Sequence, residues 1–320
     1  MTLRIGSHPH LLSLFILRHR GVLETAMAAH GGVVWTDYDH AGDGAVLLAE
    51  QALDVIGTGS TLPVLARSGG LDVAYLAASP DRAEPCALLA MKDGAHRSLQ
   101  ALRGARIAGM RGTVTEPFLA GLLLQHDLTL EDITLVDLNG SDAARALREG
   151  SVDLWAAIDP WLTAAQDAKK VRCLVPPAGA VRNRSLLWCR ERWRYQSAPQ
   201  VDVLLSVLAE NDRWIAGHRQ QAAGIIHQHL PGSPGVDRWL AAIRNQASGF
   251  QPVTPALLSE QQRQADDLLA ARFIPQPLTI SVAAEPGLPL TQGACQGYPC
   301  FRAAPKRTAP SDLHRTEPDA

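Results

Sequence analysis

The stretch IGTGSTLP, residues 56–63, decides how this chain is interpreted. It follows the apolar run ALDV at 52–55, which predicts a strand, and Pro63 is typical of the first turn of a helix. Residues 57–61 are only glycine, serine and threonine. Glycine lets the backbone approach another group closely, and the first N–H groups of a helix have no partner inside the helix. The stretch therefore predicts a strand-to-helix turn that presents bare backbone to a ligand.

Strands and helices alternate on both sides of this turn. Strands are predicted at 3–5, 33–35, 52–55 and 71–77, and helices at 10–19, 44–51 and 61–68. A second, similar series has strands at 106–110, 133–136 and 152–157 and helices at 98–104, 115–126 and 141–149. Such alternation is typical of a mostly parallel sheet covered by helices on both faces.

The second series interrupts the first, which predicts an α/β protein of two lobes with a cleft between them. Lobe I is expected to comprise 1–89 and 186–283, with residues 198–272 almost wholly helical. Lobe II is expected to comprise 90–185. Residues 284–320 are dominated by Pro, Gly, Arg and Thr, which predicts a disordered tail.

The composition excludes several classes of protein. The chain has 320 residues with 30 basic and 32 acidic side chains, so it has no broad positive surface for nucleic acid. Its apolar runs are much shorter than the roughly 20 residues of a membrane-spanning helix. Cys86, Cys173 and Cys189 lie in apolar surroundings, and the spacing of Cys295 and Cys300 in the tail fits no common zinc pattern. Neither a metal nor a cofactor is predicted.

A second turn has chemistry that matches the first. Residues 109–117 read GMRGTVTEP, with glycines, hydroxyl residues near the helix start, and a proline in its first turn. Helix N-termini attract anions, and Arg111 could add a direct charge. Simple helix capping would explain either turn alone. The pair, in equivalent positions of two lobes, predicts a shared anion site.

Other interpretations of the turns and of neighbouring residues are weaker or stay open. The first turn lacks the third glycine of a dinucleotide fingerprint, and neither turn has the lysine of a phosphate-binding loop.

His8 follows the first strand at the predicted mouth of the cleft, either as a ligand contact or as a turn histidine without a ligand contact. Asp159 stands before Pro160, where a helix cap is the ordinary role. Trp155 and Trp161 either wall an apolar ligand tail or pack in a core.

Over residues 3–282 the chain resembles substrate-binding proteins of ATP-driven importers, of the aliphatic-sulfonate, taurine and nitrate type. The resemblance rests on LRIG at 3–6, ALDVIGTGSTLP at 52–63, SLQALRGARIA at 98–108, DAARALREGSVDLWAAIDPW at 142–161 and PVTPALLSEQQRQADDL at 252–268. It implies a periplasmic-binding-protein-like fold of type II, which closes on a small anionic solute. The implied partners are the importer's permease and ATPase subunits, and the protein is expected to act as a monomer.

The resemblance also implies which residues line the pocket. They are Ser7 and His8 after the first strand, Gly57, Thr58, Gly59, Ser60 and Thr61 in the first turn, Arg111, Gly112, Thr113 and Thr115 in the second, and Asp159 at the edge. A sulfonate has three oxygens that share one charge, so an array of N–H and hydroxyl donors suits it.

Two alternatives are an enzyme on the same fold and a cytoplasmic ligand sensor. A desulfinase- or lyase-like enzyme would use His8 as its acid–base group, but where the related desulfinase has its cysteine nucleophile this chain has His8. None of the four lysines lies in the turns, as a pyridoxal enzyme of this fold would need. No export signal precedes the strand at 3–5, so the expected location is periplasmic if a signal was removed and cytoplasmic if there was none.

Overall fold

The computed structural model describes residues 1–8, 11–38, 41–96, 98–138, 140–159, 161–177, 181–230, 235–245 and 249–280. Its framework is one sheet of six strands, sheet I, and one of five, sheet II. The strands of sheet I are β1 (Leu3–Ser7), β2 (Val33–Asp37), β3 (Val55–Gly59), β4 (Val73–Ala78), β12 (Ser185–Arg190) and β13 (Gln251–Pro252). Those of sheet II are β6 (Cys86–Met91), β7 (Arg106–Gly109), β8 (Thr134–Asp137), β9 (Leu154–Ile158) and β10 (Val171–Val175).

Helices pack on both sheets. They are α1 (Leu12–Arg20), α2 (Val22–Met27), α3 (Ala41–Ala49), α4 (Thr61–Ser68), α5 (Thr115–Leu124), α6 (Gly140–Glu149), α7 (Trp161–Asp167), α8 (Glu191–Gln196), α9 (Ala198–Gly217), α10 (Arg219–His229), α11 (Val236–Asn245) and α12 (Pro255–Ala270). No helix in the described ranges is long and apolar enough to cross a bilayer.

The central strands of both sheets are buried on both faces. All six residues of β4 are buried, and in β6, β9 and β12 the residues before the last are buried. Continuous apolar runs such as VAYLAA in β4 are what such a position requires, because helices cover both faces. The two-lobed α/β class predicted from the sequence is thereby confirmed.

The sheets are mixed rather than mostly parallel. In sheet I, β1 runs parallel to β2 and β3, but β12 is antiparallel to β3 and β4. In sheet II, β7 runs parallel to β8 and β9, but β6 is antiparallel to β9. The path of the chain explains these antiparallel pairs. The chain passes from sheet I into sheet II at β6 and returns to sheet I at β12.

Two crossing segments join the sheets. They pair as a short antiparallel ribbon, β5 (Arg82–Glu84) with β11 (Val181–Asn183). Strand β6 lies across the predicted lobe boundary at residue 89, so the boundaries of the lobes stay a prediction. The predicted disordered tail, 284–320, lies outside the described residues, together with Cys295 and Cys300.

Some local predictions need correction. Residues 98–104 form only a 3-10 turn at Leu99–Ala101, because Gly104 takes a left-handed conformation (φ 77°) that stops a helix. The long helical stretch 198–272 is divided into α9, α10, α11 and α12, with β13 between the last two. Cys173 is exposed on the edge strand β10, whereas Cys86 and Cys189 are buried as expected.

Two imidazole rings stack where α1 meets α10. The ring centroids of His19 and His229 are 4.0 Å apart with an interplanar angle of 12°, and Phe15 lies 4.6 Å from the ring of His19. Burial, together with the nearby charges of His229 and Arg18, lowers the pKa of His19 to about 4. The neutral form of His19 is therefore the one that fits this interface.

We expect this pair to make stability depend on pH. In the unfolded chain His19 takes up a proton below its ordinary pKa of 6.5, whereas in the folded protein it does so only near pH 4. The free energy of unfolding therefore falls as the pH drops from 6.5 to 4. The side chain is only partly buried, and after discounting for solvent screening the loss is about 1 kcal/mol. Urea unfolding near pH 7 and near pH 4.5 measures this loss as a difference in the free energy of unfolding. His19→Phe should reduce the pH dependence, and exposed His126→Phe should not. An unchanged pH dependence in His19→Phe would contradict the explanation.

Candidate functional site

The first predicted turn is shorter than expected, because Gly57, Thr58 and Gly59 lie within β3 and pair with β12. The predicted strand at 52–55 is therefore shifted to Val55–Gly59, and Ser60 alone links β3 to α4. Ser60 is the N-cap residue, and the N–H groups of Thr61 and Leu62 have no acceptor among the residues that the structure describes. Pro63 has no N–H to satisfy. Two backbone donors at the positive end of the helix therefore remain available.

The hydroxyl groups of the same turn are already used within the protein. The Thr58 hydroxyl donates to the Gly59 carbonyl at 2.9 Å and accepts from the indole N–H of Trp188 at 2.9 Å. The Ser60 hydroxyl donates to Oδ1 of Asn183 at 3.2 Å. Thr61 Oγ1 accepts from Nε2 of Gln264 at 3.2 Å. The side chains thus hold this segment in place, and a role of its backbone in ligand binding stays a prediction.

The second predicted turn joins β7 to α5. The hydroxyls of Thr113 and Thr115 both donate to the Met110 carbonyl, at 2.6 and 2.7 Å. In the described part of the chain the N–H groups of Thr113 and Val114 have no acceptor. As in the first turn, the hydroxyls brace the backbone and two N–H groups remain.

Glu116 is a buried carboxylate inside the second turn that sequence reasoning missed. It accepts from the backbone N–H of Gly112 at 2.7 Å and from Nε of Arg111 at 3.3 Å. The side chain of Glu116 is 1% exposed, and its burial raises the carboxyl pKa although Arg111 and the N–H of Gly112 act in the opposite direction. Arg111 is therefore paired within the turn, and it is not the free cation that the sequence suggested.

The two turns meet. Gly112 has φ 74°, and a Cβ at this position would lie 3.1 Å from Cδ1 of Leu62, in the first turn of α4. The structure thus brings Leu62, which directly follows the first predicted turn, beside Gly112 of the second predicted turn. The role of residues 57–61 and 111–115 as ligand contacts stays a prediction.

Ser7 and His8 lie at the end of β1 beside Tyr38, another residue that sequence reasoning missed. The ring of Tyr38 is 5.3 Å from that of His8, and a Cβ on Gly6 or Gly44 would collide with it at 2.6 and 2.8 Å. Burial raises the pKa of Tyr38. The hydroxyls of Ser7 and Tyr38 are buried without a hydrogen-bond partner among the described residues. Buried polar atoms rarely lack a hydrogen-bond partner, so a bound water or ligand would fit at this end of sheet I.

The unpartnered phenol leads to a prediction with a matched control. Tyr38→Phe removes a hydroxyl that has no hydrogen-bond partner among the described residues, so stability should stay the same or rise by about 1 kcal/mol. Tyr75→Phe removes a hydroxyl that donates to Oε1 of Gln261 at 3.2 Å, and it should cost about 1 kcal/mol. Urea unfolding compares the two variants. Equal losses of stability would show that the Tyr38 hydroxyl has a partner after all.

Asp159 has a structural role. Its Oδ1 accepts from the backbone N–H of Thr163 at 3.0 Å and from the hydroxyl of Thr163 at 2.7 Å, which is the bonding of a helix cap before α7. Its carboxylate is therefore occupied by the protein, and the predicted place at the edge of a ligand pocket stays untested.

One concavity, with a cavity volume of about 30 Å³, lies on sheet I between α1, α9 and α11 and contains the buried carboxylate of Asp212, which accepts from the N–H of Phe250 at 2.9 Å. Another, of about 10 Å³, lies on sheet II and includes Thr115. Neither is lined by residues 57–61. Within the described ranges, no three His, Cys, Asp or Glu side chains gather where they could hold a metal ion.

Comparison with known proteins agrees with this fold. The family model described as NMT1/THI5 like matches residues 38–222. A protein named putative aliphatic sulfonates-binding protein, from Escherichia coli (strain K12), is 22% identical over 278 residues, which is 87% of this chain and 86% of that protein. Among solved structures, the periplasmic aliphatic sulphonate binding protein SsuA from Escherichia coli has a TM-score of 0.71 at 22% identity, over 87% of this chain and 95% of that chain. The alkanesulfonate-binding protein SsuA from Xanthomonas axonopodis pv. citri, bound to MOPS, has a TM-score of 0.72 at 25% identity, over 87% and 96%.

Proposed function

The chain belongs to the NMT1/THI5-like family, and from that premise we propose that it is a solute-binding protein which captures an aliphatic sulfonate or a similar small organic oxyanion for an ATP-driven importer. The observation that carries the proposal is the contact between the two helix-start turns, at Gly112 and Leu62. Each turn comes from a different sheet, so an anion held by both would hold the lobes together.

The donors left in the turns suit a sulfonate. We take as donors the N–H groups of Thr61 and Leu62 at the start of α4 and those of Thr113 and Val114 before α5, because they have no acceptor among the described residues. A sulfonate spreads one negative charge over three oxygens, and helix N-termini stabilise such a charge without a free cation. Arg111 is paired with Glu116, so the site offers oriented dipoles more than net charge, which favours a monoanion over a dianion.

The relatives support the same substrate class and place. The Escherichia coli relatives are named for aliphatic sulfonates, and the one of known structure is called periplasmic. The Xanthomonas relative was solved with MOPS, a buffer that carries an alkyl sulfonate. We therefore propose an extracytoplasmic location and permease and ATPase subunits as partners, and the monomeric state stays an expectation.

The protein is proposed to bind its solute without converting it. His8 packs on Tyr38, and the described residues beside it include no cysteine that could serve as a nucleophile. Cys86 and Cys189 are buried in strands, and burial raises the pKa of the Cys189 thiol. Incubation with the solute followed by mass spectrometry should recover it unchanged, and a new product would favour the enzyme alternative.

The contact between the turns can be tested with two glycines of equal backbone conformation. Gly112 has φ 74° and Gly150 has φ 73°, so alanine costs similar backbone strain, about 1 kcal/mol, at either position. Only at Gly112 does the added Cβ also approach the other turn, since nothing lies within 4 Å of it at Gly150. We expect Gly112→Ala to weaken butanesulfonate binding by about tenfold or more, a loss of about 1.4 kcal/mol, and Gly150→Ala to leave it unchanged.

Isothermal titration calorimetry with butanesulfonate, nitrate and sulfate makes the measurement. Binding of butanesulfonate that is lost in Gly112→Ala supports the proposal. The absence of binding to any of the three anions, or equal affinities of the two alanine variants, would overturn it.

A further inference from the structure

An ion pair joins helix α12 to the two segments that cross between the sheets. Arg184 lies on the returning segment, between β11 and β12, and its Nε donates to both carboxylate oxygens of Glu260, at 2.9 and 3.1 Å. Its Nη2 donates to Glu260 as well, at 2.9 Å. Its Nη1 donates to the carbonyl of Ser79, at the start of the outgoing segment, at 3.2 Å. One side chain of α12 is therefore bound, through Arg184, to both crossing segments.

The next polar side chains of α12 reach the start of α4. Gln264 lies one helical turn after Glu260 on the same side of the helix, and its Nε2 donates to Oγ1 of Thr61 at 3.2 Å. Gln261 is 1% exposed, and its Nε2 donates to Oε1 of Gln264 at 3.1 Å. Oε1 of Gln261 accepts from the hydroxyl of Tyr75, on β4, at 3.2 Å. These bonds fix the side chain of Gln264, and with it the first residue of α4.

The returning segment also binds the N-cap residue of α4. Oδ1 of Asn183 accepts from the hydroxyl of Ser60 at 3.2 Å and from the N–H of Arg184 at 2.9 Å. The start of α4 is therefore held from two sides, by the returning segment and by α12. The pair of Arg184 and Glu260 joins these two supports to each other.

Helix α12 contacts elements of sheet II at the same time. It packs against α5, and the buried Leu268 belongs to the same hydrophobic core as Leu119 of that helix. Just after α12, the carbonyl of Ala271 accepts from the N–H of Leu130, in the segment before β8, at 2.9 Å. A change in the position of α12 relative to the crossing segments would therefore also change how the two sheets are arranged around the start of α4.

The ion pair is better suited to fixing an arrangement than to adding stability. The apolar side of α12 already anchors the helix, through buried residues such as Leu257, Ala265 and Leu268. Arg184 and Glu260 are only 20% and 15% exposed, and the cost of removing such charges from water offsets much of their attraction. Their fork-shaped pairing nevertheless permits only one geometry, because several N–H groups must meet the carboxylate together.

We infer that Glu260, Gln261 and Gln264 of α12 are positioning residues for the candidate anion site. They hold the start of α4 and the crossing segments in the arrangement that binds the anion, and they act through Arg184 and Thr61. Without them the chain spends part of its time in other arrangements, and the apparent dissociation constant rises as the competent fraction falls. This inference rests on the proposed function, because it takes the N–H groups at the start of α4 to be donors to the anion.

Calorimetry with butanesulfonate on the whole chain tests the effect on binding. Glu260→Gln keeps the size of the side chain and removes its charge, and we expect affinity to fall about fivefold, as a competent fraction of about one fifth would give. Asp267→Asn, at an exposed position of the same helix, is the control and should leave affinity unchanged. Arg184→Glu alone should weaken binding further, because it sets two carboxylates against each other. Adding Glu260→Arg to it should recover part of the affinity, which a variant that had only lost stability would not do.

Hydrogen exchange followed by mass spectrometry gives a second readout, on the protein without ligand. Glu260→Gln should speed exchange in peptides that cover 79–84, 181–185 and 60–62, while α9, which packs on α1 and α2, exchanges as in the wild type. Gln264→Ala should speed exchange at 60–62 and leave 181–185 unchanged, because it removes only the bond to Thr61. Circular dichroism establishes that each variant is folded.

The outcomes separate the inference from the proposed function. If butanesulfonate, nitrate and sulfate all fail to bind the wild type, both are wrong. If butanesulfonate binds but Glu260→Gln and Asp267→Asn have the same affinity, the positioning role is wrong and the proposed function stands. Faster exchange in α9 as well as in the crossing segments would show that the ion pair serves stability alone, which also overturns the inference. Weaker binding with faster exchange confined to the named segments, and partial recovery in the reversed pair, supports it.

Discussion

Replacing Glu116 with alanine is expected to destabilise the protein by about 3 kcal/mol, because removal of one partner leaves a partly buried charge without its counterion. The carboxylate accepts from the N–H of Gly112 and from Arg111, and both donors lose their partner in the variant. The side chain of Arg111 is only 18% exposed, so water cannot fully replace the lost contact. Urea unfolding, with the midpoint and slope compared with those of the wild type, measures the loss.

A surface pair provides the matched control. Glu131 pairs with Arg272, and the two side chains are 67% and 60% exposed. Glu131→Ala should therefore cost less than about 1 kcal/mol, as exposed ion pairs contribute little. Since Glu116 also holds the second turn in shape, Glu116→Ala should weaken sulfonate binding while Glu131→Ala does not. If the two variants lose the same stability, the buried carboxylate does not hold the turn.

The second large effect is expected at Trp188, in the central strand β12. Trp188 is fully buried, and truncation of such an aromatic side chain to alanine costs about 4 kcal/mol through lost contacts and an unfilled cavity. Its indole N–H also donates to the hydroxyl of Thr58, so the first turn loses one of its braces. Chemical denaturation measures the loss of stability, and calorimetry with butanesulfonate measures the effect on the turn.

Trp161→Ala is the corresponding control on a tryptophan that is 40% exposed. We expect it to cost less than half as much stability as Trp188→Ala, because less apolar surface leaves water when Trp161 packs. The two variants should thus differ clearly in the free energy of unfolding. Similar stability losses would mean that Trp161 belongs to the core.

Much of the fold could be predicted because its signals are local. The helix 61–68 was predicted with the bounds that α4 has, since Pro63 and Gly69 mark its two ends. The alternation of strands and helices indicated two α/β lobes, and the structure confirms that class. The direction of β6 and β12 could not be predicted in the same way, because it depends on where the chain crosses between the sheets and not on the residues of either strand.

For the candidate site, the sequence by itself determined where the helices α4 and α5 start, because helix starts depend on a few neighbouring residues. It did not show that Gly57, Thr58 and Gly59 belong to β3, since that depends on their pairing with β12. Only the tertiary structure decided which donors near these helix starts stay available. The hydroxyls of Thr58 and Thr61 are bound by Trp188 and Gln264, which are 130 and 203 residues away in the chain. Glu116 is close in sequence, but its burial depends on the packing of sheet II. Hydrogen bonds need atoms within about 3 Å, and only the folded chain brings such distant residues that close.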